Sequence, residues 1–251
     1  MLKILIIVVC LFTLNVCVLG QNETTASQKE NQVTYGISTD IFNKYIFRGY
    51  NLSEGNVIQP SGWISLKNFT FTFWSNIDLQ NHLNKPKCNE IDVVLTYAYT
   101  LQNLIFEPAF QFYFYPDTEE SPTTGETILS LSYNLNDFNI ATSHSLDFIE
   151  YKGSYYADAS FGFEHWFNDN SGINAQAGIG WGNPVFNETY IGIRESSIIA
   201  FLNLSYTQYT YGSLFIKPKL EISKILNKEI EEFKELKHPY LNIGLSLGID
   251  F

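Results

Sequence analysis

From Val33 to Phe251 apolar and polar residues alternate with a period of two, and short polar breaks interrupt the alternation. Period two is the signature of a β-strand with one apolar and one polar face. The last segment shows it most clearly. Leu241, Ile243, Leu245, Leu247, Ile249 and Phe251 fall on one face, and Asn242, Gly244, Ser246, Gly248 and Asp250 on the other. Read this way, the chain predicts about twelve strands of roughly ten residues each, the first from Val33 to Asp40, the second near Gln59 to Lys67 and the third from Phe69 to Leu79.

Two architectures present strands with one apolar face: a soluble β-sandwich and a membrane-spanning β-barrel. Three features favour the barrel. The strands are long for a soluble sheet. The breaks alternate in length: Lys67-Asn68, Gln102-Asn103, Asn136-Asp137 and Asn168 to Gly172 are tight, whereas residues 80–90, 116–125, 182–195 and 224–238 are long. Short turns on one rim and long loops on the other is the barrel pattern. Finally, Phe69, Tyr99, Phe106, Tyr133, Phe138, Phe167, Tyr206 and Phe251 all fall on the apolar face at the short-turn end. That places an aromatic girdle at one membrane interface. The expected fold is an all-β, antiparallel, up-and-down transmembrane barrel over residues 32–251. The amphipathic run from Ile225 to Lys237 is expected to sit in the last long loop, with a short surface helix, a membrane-surface helix or a plug helix as alternatives.

Residues 1–20 read differently. Lys3 precedes an apolar run that ends Val18-Leu19-Gly20, and Gln21 opens a polar stretch. This is the pattern of an export signal; interrupted by Thr13 and Asn15, it is too short and polar for a spanning helix. Residues 21–31 are expected to be a flexible polar segment. Cys10 and Cys17 lie in the signal, so the exported chain keeps Cys88 alone as a free thiol.

Composition narrows the function. Lys plus Arg number 15 against 26 Asp plus Glu, a net charge of −11, which argues against nucleic acid as a partner. Four scattered histidines give no metal-ligand spacing, no glycine-rich phosphate loop is present, and no cofactor is expected. A lipid-hydrolysing site would need a serine beside a histidine. The candidates are His144, between Ser143 and Ser145, and Glu164-His165. Alternation turns both histidines outward and Ser143, Ser145 and Glu164 inward, so no enzyme is expected.

The segment from Asn43 to Leu79 carries Asn-Lys-Tyr-Ile-Phe-Arg-Gly-Tyr (43–50), Ile-Gln-Pro-Ser (58–61), Gly62-Trp63 and Phe73-Trp74-Ser75-Asn76-Ile77-Asp78. Over these roughly 40 residues the chain resembles the TorF-family porins, Gram-negative outer-membrane barrels whose opening contains a Tyr-x-Phe/Trp-Arg-Gly element, then Gln-Pro and a Trp-x-Ser-Asn strand. The resemblance implies an outer-membrane channel of undefined solute, in contact with outer-membrane lipids and lipopolysaccharide. The terminal Ile249-Asp250-Phe251 resembles the signal read by the outer-membrane barrel assembly machinery, with Phe251 as the recognised aromatic.

The expected function is passive diffusion of small solutes. Twelve strands give a backbone diameter of roughly 24 Å, and side chains on both walls leave a lumen on the order of 10 Å or less. The inward face is expected to carry Asp40, Asp78, Asp92, Glu107, Asp147, Asp158, Glu164, Glu221 and Asp250 against Lys44, Arg48, Lys67, Lys217 and Lys219. That excess of carboxylates predicts a mild cation preference. Arg48, where the first strand meets its loop, is expected either to pair with an inward carboxylate or to hold an anionic solute. The competing reading is a barrel packed shut by Trp63, Trp74, Tyr113, Tyr156 and Trp166, a structural or adhesion protein that works through its loops.

Overall fold

The computed structural model describes residues 33–53, 55–79, 87–116, 121–233 and 239–251, together with a two-residue backbone ladder between Val9–Cys10 and Asn15–Val16. Apart from that ladder, the export signal and the flexible segment expected at 1–31 lie outside the described residues.

The elements in chain order are β1 (Val33–Phe42), β2 (Tyr45–Phe47), β3 (Tyr50–Ser53), β4 (Val57–Leu66), β5 (Phe69–Asp78), β6 (Lys87–Tyr97), β7 (Tyr99–Leu101), β8 (Leu104–Phe114), β9 (Thr124–Leu135), β10 (Phe138–Asp147), β11 (Tyr155–Asn168), β12 (Ser171–Gly182), α1 (Pro184–Ile191), β13 (Ser197–Tyr209), β14 (Leu214–Ile225), α2 (Lys228–Phe233) and β15 (Tyr240–Asp250). β6 and β7 form one wall strand interrupted at Ala98. The wall runs β9-β10-β11-β12-β13-β14-β15-β1-β4-β5-β6-β8, and β8 pairs back onto β9. The result is a closed, antiparallel, twelve-stranded barrel. Closure leaves no strand edge unpaired, which is what a sheet needs in order to cross hydrocarbon.

The two faces of the wall separate as the alternation requires. On β15, Leu241, Ile243, Leu245 and Leu247 are exposed on the outside, whereas Asn242, Ser246 and Asp250 are buried inside. All eight aromatics of the proposed girdle are exposed. Phe251 stacks on Tyr35 at 5.2 Å between ring centroids, and Phe138 stacks on Phe161 at 5.4 Å. A continuous apolar outer band above an aromatic ring suits lipid as the solvent.

The connections at 67–68, 102–103, 136–137, 169–170 and 210–213 lie on the rim that holds Val33 and Phe251. The opposite rim carries the longer connections, and three departures from the sequence reading are found there. β6 starts at Lys87 and β9 at Thr124, so two stretches expected as loop end in wall. The connection after β1 holds a separate hairpin, β2–β3. The last connection contains α2, whose Ile230 is 1% exposed and packs into the barrel mouth rather than lying on the surface.

Candidate functional site: the barrel lumen and its mouth

The lumen is polar. Buried inward side chains include Gln59, Asn76, Thr72, Gln111, Ser130, Ser160, Gln176 and Asn203. They bond across neighbouring strands: Gln59 Nε2 donates to Asn76 Oδ1 at 2.9 Å, and Gln176 Nε2 to Ser160 Oγ at 3.0 Å. Other polar atoms, among them Asp92 Oδ1, Ser132 Oγ and Asn242 Oδ1, have no protein partner. These atoms are buried, so each unpaired oxygen carries a desolvation cost.

The mouth at the long-loop rim is built differently. Phe42, Tyr45, Phe47, Tyr50, Val57, Trp74, Tyr156, Phe186, Ile199, Ile225 and Ile230 form one apolar cluster, with Tyr190, Ile191 and Ile193 packed against it. The hairpin supplies three of its aromatics. Its turn is Phe47-Arg48-Gly49-Tyr50, with φ of 46° at Arg48 and 84° at Gly49. Two successive positive φ values define the two-residue turn that fits the twist of a hairpin, and glycine suits the second position. A Cβ at Gly49 would collide with Ile199 Cγ2, so the tip lies directly against β13.

Arg48 reaches across the opening. Its Nη1 and Nη2 donate to Glu126 Oε1 and Oε2 at 2.8 and 2.6 Å, and Nη2 also donates to Ser145 Oγ at 2.9 Å. The guanidinium lies 4.7, 5.0 and 5.7 Å from the ring centroids of Phe47, Tyr156 and Phe186. Glu126 is on β9 and Ser145 on β10, whereas the hairpin leaves the wall between β1 and β4. Three wall strands separate β4 from β9 on one side, and five separate β1 from β10 on the other. The hairpin therefore spans the lumen rather than following the wall, and Arg48 does not sit at the strand–loop junction expected from sequence.

Helix α1 holds the other side of the hairpin. Asn183 caps it by accepting from Phe186 N at 2.9 Å, Pro184 opens it, and Gly192 ends it in the left-handed region. From its buried face, Asn187 Oδ1 accepts from Tyr50 Oη at 2.7 Å and from Ser197 Oγ at 2.9 Å. Space for the cluster comes from the wall. Gly180 and Gly182 face inward on β12, where a Cβ would collide with Tyr156 Oη or reach within 2.9 Å of Asn187 Oδ1. Gly180→Leu is expected to displace Tyr156 from Arg48 and to destabilise the protein by about 1–3 kcal/mol. Chemical denaturation of the folded barrel measures this, and an unchanged midpoint would show that the mouth is loosely packed.

The remaining candidates from sequence are distributed through the lumen. Asp78 accepts from Ser53 Oγ of the hairpin at 2.7 Å, and Asp92 Oδ2 from Gln111 Nε2 at 3.0 Å. Asp158 is buried near the mouth, and its neighbour across the ladder is Ser143. Glu107 is half-buried nearer the short-turn end. Lys219 Nζ pairs with Asp40 at 2.6 Å, Glu221 accepts from Asn242 at 2.9 Å, and Lys217 is buried beside them. Glu164 accepts from Trp166 Nε1 at 2.6 Å.

Two assignments are corrected. Lys67 is exposed in a turn, outside the lumen. Trp166, 36% exposed at a bulge in β11, stacks on Tyr209 at the short-turn rim and takes no part in closing the mouth. Glu90 and Glu126 went unassigned from sequence because their strand ends read as loop; around Glu126, Gly125 and Thr127 on the outward face and Ile128 on the inward face break the period of two.

The serine and histidine considered for hydrolysis are not brought together. His144 Nδ1 meets Tyr155 Oη at 2.6 Å on the outer face, while Ser143 accepts from Ser130 Oγ inside, and Ser145 bonds Arg48. His165 lies 2.8 Å from Asp137 at the short-turn rim.

The fold is a closed, twelve-stranded antiparallel β-barrel of the kind seen in solved outer-membrane porins. The chain is similar to the NanC porin at a TM-score of 0.56 and 11% identity, covering 86% of this chain and 98% of that one. It is similar to the KdgM porin in complex with disordered oligogalacturonate (TM-score 0.50, 12% identity, 87% and 98% covered). It is also similar to the COG4313 outer membrane channel from Pseudomonas putida F1 (0.50, 10%, 91% and 100%). No family model and no curated protein matches the chain in sequence.

Proposed function

We propose that this protein is an outer-membrane channel for passive diffusion of small solutes. One observation carries the reading: a closed barrel whose outside is mainly apolar has an inside lined largely with hydroxyl, amide and charged groups. A polar interior is what a water-filled channel through an outer-membrane barrel requires. The fold is shared with solved channels, which supports the same reading. The outer band would face lipid and lipopolysaccharide, and the last strand would engage the assembly machinery. The Tyr-Ile-Phe-Arg-Gly element gives a kinship with the TorF family its support, since it forms the turn that crosses the mouth.

The aromatic mouth cluster favours a second reading, a barrel closed for structural or adhesive work. Planar-bilayer recording decides between them. The channel reading expects discrete conductance steps from the native protein or from a variant in which residues 45–53 are replaced by a short Gly-Ser linker. Silence from both at every voltage overturns it.

Carboxylates outnumber cations along the lumen. Glu90, Asp92, Asp147 and Asp158 stand with the paired Glu126 and Asp40, against Arg48, Lys217 and Lys219. With these carboxylates ionised the local potential would be negative, and reversal potentials in a salt gradient should show a mild cation preference. Anion preference would contradict it.

A further inference from the structure

We propose that the β2–β3 hairpin is the gate of the channel, latched shut by the Arg48–Glu126 pair; the inference rests on the channel reading above. Two features make the hairpin a separable element. Its two strands pair only with each other and form a sheet distinct from the wall. Swinging it away therefore breaks no rung of the barrel ladder. At its ends Asn43 Oδ1 accepts from Ile243 N at 2.7 Å, Asn43 N donates to Ile243 O at 3.2 Å, and Ser53 donates to Asp78.

Tyr50 Oη hydrogen-bonds Asn187 Oδ1 and Ser197 Oγ at 2.7 and 2.8 Å, and the charged part of the hairpin's hold on the opposite wall is Arg48. Arg48 makes a bidentate contact with Glu126, backed by Ser145, and Tyr113 Oη donates to the same carboxylate at 2.8 Å. Such charge-assisted, two-point bonds are strong and directional. Aromatic packing from Tyr45, Phe47 and Tyr50 supplies the seal, and the ion pair fixes the register in which it closes.

The latch sits in a lumen otherwise short of cations. Released from Glu126, Arg48 would face several other carboxylates, so the open hairpin retains partners for its charge. Opening is then an exchange between two states of the loop while the barrel stays folded, a two-state element in the sense required of a gate.

Single-channel recording of the full-length protein tests this, with heat-modifiable gel mobility confirming that each variant is a folded barrel. Glu126→Gln replaces the charge-assisted contact with neutral hydrogen bonds, and should raise the ratio of open to closed time roughly tenfold. Arg48→Ala should have a similar effect, and the double variant should add little to either. In a Cys88→Ser background, Arg48→Cys with Glu126→Cys bridged by a bis-methanethiosulfonate spacer should be held at the closed level and recover on reduction. If the bridged protein conducts like the unbridged one, the hairpin is not the gate, while the channel reading survives. If even the variant lacking residues 45–53 is silent, the channel reading fails and the gate with it.

Discussion

Leu245→Arg is expected to destabilise the inserted barrel by about 2–4 kcal/mol, and Ser246→Arg by much less. The two positions are adjacent in the last strand and differ only in face. Leu245 is exposed on the outer surface, with Pro218 and Ile41 as its cross-strand neighbours. An arginine there puts a charge into hydrocarbon near mid-strand, where distortion of the bilayer or a stretched side chain must hydrate it. Ser246 is buried inside the barrel beside Lys217 and Asp40. An arginine there meets a polar interior and a carboxylate, with some repulsion from Lys217. Urea titration of the folded barrel in liposomes, read by heat-modifiable gel mobility, measures both. Equal losses would mean that the strand register is wrong or that no lipid faces this surface.

The wall was legible because two solvents act on it at once. Lipid outside and polar groups inside force each strand to alternate, and the alternation survives even where β6 and β7 are interrupted at Ala98. Legibility ended where that constraint ends. Tyr45, Phe47 and Tyr50 pack into the mouth, and their hairpin follows no wall pattern. Its anchor, Glu126, is 78 residues from Arg48 in sequence, and nothing local announces such a pairing. The motif around Arg48 drew attention, but its meaning depends on the far wall. Trp166 was misplaced for a different reason: the bulge between Trp166 and Asn168 shifts the register just where parity was being used to assign a face. Helix α1 carried recognisable punctuation in Asn183-Pro184 and Gly192. It is eight residues long, and its role is set by Asn187 gripping Tyr50 rather than by an amphipathic stripe.

Loss of Phe251 is expected to remove most of the protein from the outer membrane. Two effects meet at this residue, and they can be separated. Its backbone closes the seam between the first and last wall strands: Phe251 N donates to Tyr35 O at 2.7 Å, and Tyr35 N to Phe251 O at 3.0 Å. Its ring completes the aromatic girdle by stacking on Tyr35. Deleting the residue removes both, whereas Phe251→Ala keeps the backbone bonds and removes only the ring. A residue that acts only through the seam would tolerate alanine, because each backbone bond contributes only about 0.5–1.5 kcal/mol and alanine preserves them. A residue recognised through its ring during assembly would not tolerate it, and Phe251→Tyr should restore much of the level, since tyrosine retains the ring and suits the interface. The expected order of outer-membrane abundance is therefore native, then Phe251→Tyr, then Phe251→Ala and the deletion together near the bottom. Fractionation and immunoblotting read this order. Alanine at native abundance would reduce Phe251 to a seam contact and remove it as the assembly signal.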